Sequence, residues 1–287
     1  QLIQNGRPYA AIRCLGKILH AKHPFDNQRA VRALIAALHS SESVHSMDAD
    51  EIVEIIKALQ NDPGTNPDDL SRVEWAYLQL LDQHRDASPK LLGHRLANEP
   101  GFFCEVIRLV FRSKKEERST EEATEERRSL ATNAYRLLSE WRTSPGCRKD
   151  GTYDGDALTA WLDAVKKECS DTGHLEIAMT MVGHALIHVP ADPDGLWIHR
   201  SVAAALNAKD AGDMRDGFLT ELFKSRGTHW VDPTGKPERE LADKYRVQAE
   251  AVEGAGYHRL ATTLRELAGS YEREAEGVSS REASDDD

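Results

Sequence analysis

His184 and His188 are the residues whose type and spacing come nearest to chemistry. Four apart, they share one face of a helix about one turn from each other, a spacing that can hold a transition metal. His174 and His199 lie on flanking segments and could supply a third ligand. The glutamate of an HExxH site is missing, because Ala185 stands in its place. Glu176 precedes His184 by two turns, about 12 Å along the axis, too far to share the ion. The series Glu176, Thr180, His184, His188 lies opposite the apolar series Leu175, Met179, Val182, Leu186. It reads most simply as the solvated face of an amphipathic helix. No metal site is assigned, His184, His188 and His199 being the nearest to one, and no cofactor is expected.

Two loops come next. In Asp150–Asp156 the residues Asp150, Asp154 and Gly155 match positions 1, 5 and 6 of a calcium loop, but position 12 is Trp161 rather than a bidentate glutamate. The simpler reading is a turn whose Asp154 or Asp156 caps the helix carrying Trp161. In THWVDPTGKPERE (228–240), Gly235-Lys236 has the end of a phosphate loop without the rest of the GxxxxGK[ST] pattern, and Pro237 follows. What remains is a long, turn-rich loop bearing Trp230. It either projects as a recognition element, with His229, Trp230, Asp232 and Lys236 as its contact residues, or folds back so that Trp230 plugs the last helical hairpin. No G-x-S-x-G elbow is present and no cysteine has a legible base partner, so no catalytic residue is assigned.

The elements that must position these residues are helical throughout. Apolar residues recur every three to four positions in one segment after another, for example Ile12, Leu15, Leu19; Ile52, Ile55, Leu59; Leu260, Leu264, Leu267, Tyr271. Alternating strand patterns are lacking. Asp26, Asp48, Asp68, Ser88 and Asp154 stand where helices should begin, and Pro24, Pro63, Pro100, Pro145, Pro190 and Pro233 fall in gaps. The expected fold is all-α, about thirteen helices in stacked antiparallel pairs, solenoid-like, with essentially no strand. Residues 11–38 and 177–206 echo one another: an apolar helix with a central glycine, a proline-bearing acidic turn, and a helix ending Ala-Ala-Leu. Either this is a genuine repeat or two amphipathic hairpins look alike.

The highly charged stretch 112–128 either links two lobes or begins a long exposed helix near Thr120. The expected division is an N-terminal lobe over 1–115, a C-terminal lobe over 116–276, and a disordered acidic tail over 277–287. A chain that opens on Gln1 and ends on such a tail reads as the C-terminal part of a longer polypeptide.

The 287 residues carry 37 basic and 48 acidic side chains, a net charge of −11, which argues against a nucleic-acid partner. No stretch approaches the ~18 apolar residues of a membrane helix. The four cysteines are far apart and lack a CxxC, so neither zinc knuckle nor disulfide framework is indicated, and a reducing, cytoplasmic setting fits.

The paired amphipathic helices with proline-marked turns resemble tetratricopeptide- or HEAT-type α-solenoids, GRPYAAIRCL (6–15) having the flavour of the former. Segments 72–82 (RVEWAYLQLLD), 102–117 (FFCEVIRLVFRSKKEE) and 229–242 (HWVDPTGKPERELA) also resemble stretches near the C-termini of large bacterial multidomain proteins. The resemblance implies a recognition or scaffolding region beside an upstream NTPase or nuclease, and transfers no site residue. The expected function is therefore non-catalytic: interaction, scaffold or sensor module, binding a protein partner or other domains of its own polypeptide. An all-α enzyme, metal-dependent if the histidines converge, and an architectural solenoid cap or self-association module are the alternatives.

Overall fold

A computed structural model describes residues 1–82, 85–115, 124–148, 150–227, 232 and 234–285, with side chains to 277. Among the described residues there are thirteen α-helices: α1 Pro8–His20, α2 Asn27–Ala37, α3 Asp48–Asn61, α4 Pro67–Ala76, α5 Lys90–Asn98, α6 Pro100–Val110, α7 Glu125–Ser139, α8 Gly155–Thr172, α9 Leu175–Leu186, α10 Arg200–Asn207, α11 Gly212–Lys224, α12 Lys236–Gly254 and α13 His258–Asp285. A 3-10 turn, Leu78–Leu80, follows α4. The described residues hold no sheet, only an isolated bridge between Cys147 and Tyr153. None of their helices is long and apolar enough to cross a membrane. The all-α expectation holds.

Several helix starts follow the sequence signals. Asp26 accepts from Arg29 N at 3.0 Å and Asp154 from Asp156 N and Ala157 N, so both are N-caps. Others depart from them. Asn66, not Asp68, caps α4, accepting from the backbone N–H groups of Asp68 and Asp69. Helix α4 ends at Ala76, because Tyr77 leaves helical geometry and its hydroxyl donates to Leu34 O at 2.7 Å in the core. Thr124 caps α7 by accepting from Arg127 N, which moves the expected start from the region of Thr120 to residue 125. Helix α13 continues through Asp285. Once a helix is nucleated on a packed segment, each further residue adds a backbone hydrogen bond at little extra entropic cost, and Glu, Ala, Ser and Arg all tolerate it.

The chain packs as two compact units, Gln1–Leu96 with Thr120–Trp141, and Ala97–Ser119 with Arg142–Asp287. This grouping differs from a single cut at residue 115. The core of the first unit gathers Ile12, Leu15, Val31, Leu34, Ile52, Ile55, Ile56, Leu59, Val73 and Leu81 from α1 to α4 and the turn after them. In the second, α6, α8 and α9 pack together, α9 lies along α11, and α12 and α13 form a long hairpin around the 255–257 turn. Tyr245 and Tyr271 stack across that hairpin at 5.7 Å.

The two echoing segments share one device. At Gly16 in α1 a Cβ would collide with the Glu51 carboxylate of α3. At Gly183 in α9 a Cβ would lie 2.1 Å from Met214 O of α11. In both segments the mid-helix glycine faces the helix two further along the chain, at Gly16 the tip of a side chain and at Gly183 the backbone itself. The hairpins are not otherwise equivalent: α1 packs on both α2 and α3, whereas the chief partner of α9 is α11.

Candidate functional site

The histidines do not converge. His199 serves as N-cap of α10, its Nδ1 accepting from Ser201 N at 3.2 Å, with its ring 4.7 Å from that of Tyr153. His174 is buried, Nδ1 against Thr172 Oγ1 and Nε2 3.2 Å from Phe111 O. His184 and His188 share a face of α9 that is solvated at Glu176 and His188, as expected, and partly covered at Thr180 and His184. Thr180 O, one turn earlier, lies against Gly217 of α11, and His184 is half-buried beside it. Crowding by neighbouring atoms lowers the pKa of His184, and with the positive charge of Arg142 it lowers that of His188 to about 4, although His188 keeps a solvent-exposed edge. Both shifts favour the neutral ring. Among the described residues, no three His, Cys, Asp or Glu side chains gather as metal ligands would.

Asp150 and Asp154 are also occupied locally. Asp150 Oδ1 accepts from Thr152 N and Oγ1, and Asp154 pairs with Arg148 at 2.5 Å besides capping α8. The capping role expected for Asp154 accounts for this loop.

Trp230 and His229 lie outside the described residues. Asp232 and Lys236 frame the end of their loop. Asp232 Oδ1 accepts from Thr234 N at 2.9 Å and Thr234 Oγ1 at 2.8 Å, closing a turn, and Lys236 pairs with Glu240 one turn into α12. Gly235 has φ +62°, and a Cβ there would sit 2.8 Å from Ala275 O, so only glycine lets the chain enter α12 this close to α13. Beneath lies a charged cluster in which Arg226 pairs with the buried Glu238 and, at 3.5 Å, with Glu274, its guanidinium 5.8 Å from the Tyr271 ring. This binds the C-terminal end of α11 to both helices of the hairpin, which is a structural task.

The feature that the sequence did not reveal is the connection between α2 and α3, residues 38–47. Its base is fixed by two acids. Glu42 reaches back to the start of α1, which has no cap of its own, and accepts from Tyr9 N at 2.8 Å and Ala10 N at 3.4 Å. A carboxylate there also meets the positive end of the helix dipole. Asp48, fully buried, accepts from His45 N at 2.7 Å. Arg13 of α1 bridges them, 2.9 and 3.0 Å from the Asp48 oxygens and 3.3 Å from Glu42. From this fixed base the loop holds Val44 and Met47 out to solvent, 65% and 68% exposed, with Leu38 at its start also exposed.

The two exposed residues are three apart in a connection with no apolar periodicity, and their anchor spans some 30 positions of sequence, so no local pattern could have signalled them. Comparison with protein families, with curated proteins and with solved structures gave no match to this chain.

Proposed function

We propose that this chain is a non-catalytic interaction module whose contact element is the 38–47 loop, binding an apolar patch on a protein partner or on another domain of its own polypeptide. The observation that carries the reading is the exposure of Val44 and Met47 on a loop fixed by Glu42, Arg13 and Asp48. Single exposed apolar residues are ordinary on protein surfaces. A buried aspartate and a cross-chain helix cap that hold such residues in place are less so, because rigid presentation lowers the ordering cost of binding. The engagement of His174, His199, Asp150 and Asp154 in helix ends and turns supports a scaffold over an active centre. The mid-helix glycines shared by the two echoing segments support a helical-repeat origin, and the resemblance to C-terminal regions of bacterial multidomain proteins supports a place in a larger cytoplasmic machine.

The test begins with a photo-crosslinking amino acid at position 47 of the full chain in its native cell. The adduct is identified by mass spectrometry, and the partner is then purified and titrated against wild type and Val44→Asp/Met47→Asp. The expected result is at least tenfold weaker binding with an unchanged thermal melt, since exposed substitutions shift stability by less than about 0.5 kcal/mol. Equal affinity of variant and wild type refutes the reading. An adduct to a second copy of the chain points to self-association instead.

A further inference from the structure

The structure brings together two cysteines that the sequence keeps 65 positions apart. Cys104 of α6 and Cys169 of α8 are both free thiols, 0% and 1% exposed, with their sulfurs 3.5 Å apart. The helices carrying them are held face to face by Phe103 against Trp161, ring centroids 5.0 Å apart, and by Arg108 on Glu168 at 2.6 Å. We propose that Cys104 and Cys169 form a peroxide-oxidisable dithiol that closes to a disulfide between α6 and α8.

A disulfide needs sulfurs about 2.0 Å apart, so closure requires an approach of about 1.5 Å, within reach of side-chain rotation and a small shift of one helix. The pair differs from an isolated buried cysteine, which is inert, because each sulfur has the other within 3.5 Å. Each sulfur interacts with the other, and both feel the Arg108–Glu168 ion pair, whose Arg108 stands one turn from Cys104 and whose Glu168 precedes Cys169. The hydrogen bond between the sulfurs favours the thiolate of Cys169 over the opposing effects of burial and the Glu168 carboxylate, with the Arg108 charge a smaller aid, whereas that same contact and burial keep Cys104 protonated. Burial selects the oxidant. Hydrogen peroxide is small enough to enter during local opening, while a bulky disulfide must expose the sulfur fully.

The chemistry balances in two displacements. The Cys169 thiolate attacks one peroxide oxygen, the O–O bond breaks, hydroxide leaves and Cys169 becomes a sulfenic acid. The hydroxide takes the Cys104 proton, forming the first water. Cys104 sulfur then attacks the Cys169 sulfur, the S–S bond forms, the S–O bond breaks, and the departing hydroxide, protonated by the proton Cys169 first released, is the second water. Two electrons pass from the thiols to one peroxide.

The exposed Cys14 and half-buried Cys147 would confuse a thiol count, so the test uses full-length Cys14→Ser/Cys147→Ser, with wild type mapped in parallel. Peroxide treatment is followed by denaturation, maleimide labelling and non-reducing peptide mapping. The expected result is simultaneous loss of both remaining thiols, a linked peptide containing Cys104 and Cys169, reversal by dithiothreitol, and a raised unfolding midpoint in the oxidised form. Cys104→Ser in the same background should stop at a Cys169 sulfenic acid that dimedone traps. Two maleimide-reactive thiols after peroxide, oxidation of one cysteine to sulfinic acid without a link, or a link only between separate chains would each overturn the proposal.

Discussion

Replacing Gly183 by alanine should destabilise the second unit even though alanine is the better helix former. Helix α9 crosses α11 with backbone on backbone. A Cβ on Gly183 would sit 2.1 Å from Met214 O and 2.6 Å from Phe218 N, the two atoms that form one i to i−4 hydrogen bond of α11. Neither can rotate aside, so the helices must part by about 1 Å to restore ordinary contact, loosening the buried Met179, Val182, Met214 and Phe218. Overpacking of this kind costs about 1–3 kcal/mol, and backbone neighbours place this site at the upper end. Relief of glycine's helix penalty returns at most about 1 kcal/mol. The net is a loss of about 2 kcal/mol, or a fall of about 4–8 °C in the melting temperature for a unit of this size. Gly101, in the first turn of α6 within the same unit, is the matched control: nothing lies within 4 Å of its Cβ position, so Gly101→Ala should gain a few tenths of a kcal/mol. Differential scanning calorimetry of both variants reads the contrast. A Gly183→Ala protein that melts at or above wild type refutes the close crossing.

Glu74 of α4 is buried and accepts from Gln60 Nε2 at 2.7 Å, Leu91 N at 3.1 Å and Leu92 N at 2.9 Å, so it caps α5 from another helix. Glu74→Ala should cost about 3 kcal/mol by stranding buried donors, measured by urea unfolding; a loss below about 1 kcal/mol would contradict the cap. For His188, crowding on one side and the Arg142 charge lower the folded pKa to about 4, below the ordinary 6.5, so the unfolded chain binds the proton more readily between those values, an effect that solvent at the exposed side of the ring reduces. Its contribution is complete above pH 6.5 and is lost as pH falls toward 4. Urea midpoints at pH 7.5 and 5 should therefore differ less in His188→Gln than in wild type, and an equal difference would refute the assignment. Val44→Asp/Met47→Asp should leave the melt unchanged, and a fall of several degrees would mean these side chains are packed rather than displayed.

What the sequence discloses here is set by the range of the interaction. A helix is a local object: Leu260, Leu264, Leu267 and Tyr271 recur at its period, and all four are buried on one stripe of α13. An N-cap is equally local, and Asp26 and Asp154 act two or three residues from where they stand. The functional candidates lack this locality. Glu42 caps a helix that begins 34 positions earlier, and Cys104 finds Cys169 across 65 positions. Neither pairing leaves a periodic trace, because an unrelated helix or loop fills the chain between. The central glycines are intermediate. Their position in an apolar helix is legible, but what arrives depends on tertiary packing: a flexible carboxylate at Gly16, the backbone of α11 at Gly183. The histidine face shows the same rule. Spacing put His184 and His188 on one helix face, and α11 decided what that face meets. In an all-helical chain a local pattern identifies the parts, whereas a site is made by contacts between helices that sequence spacing does not encode.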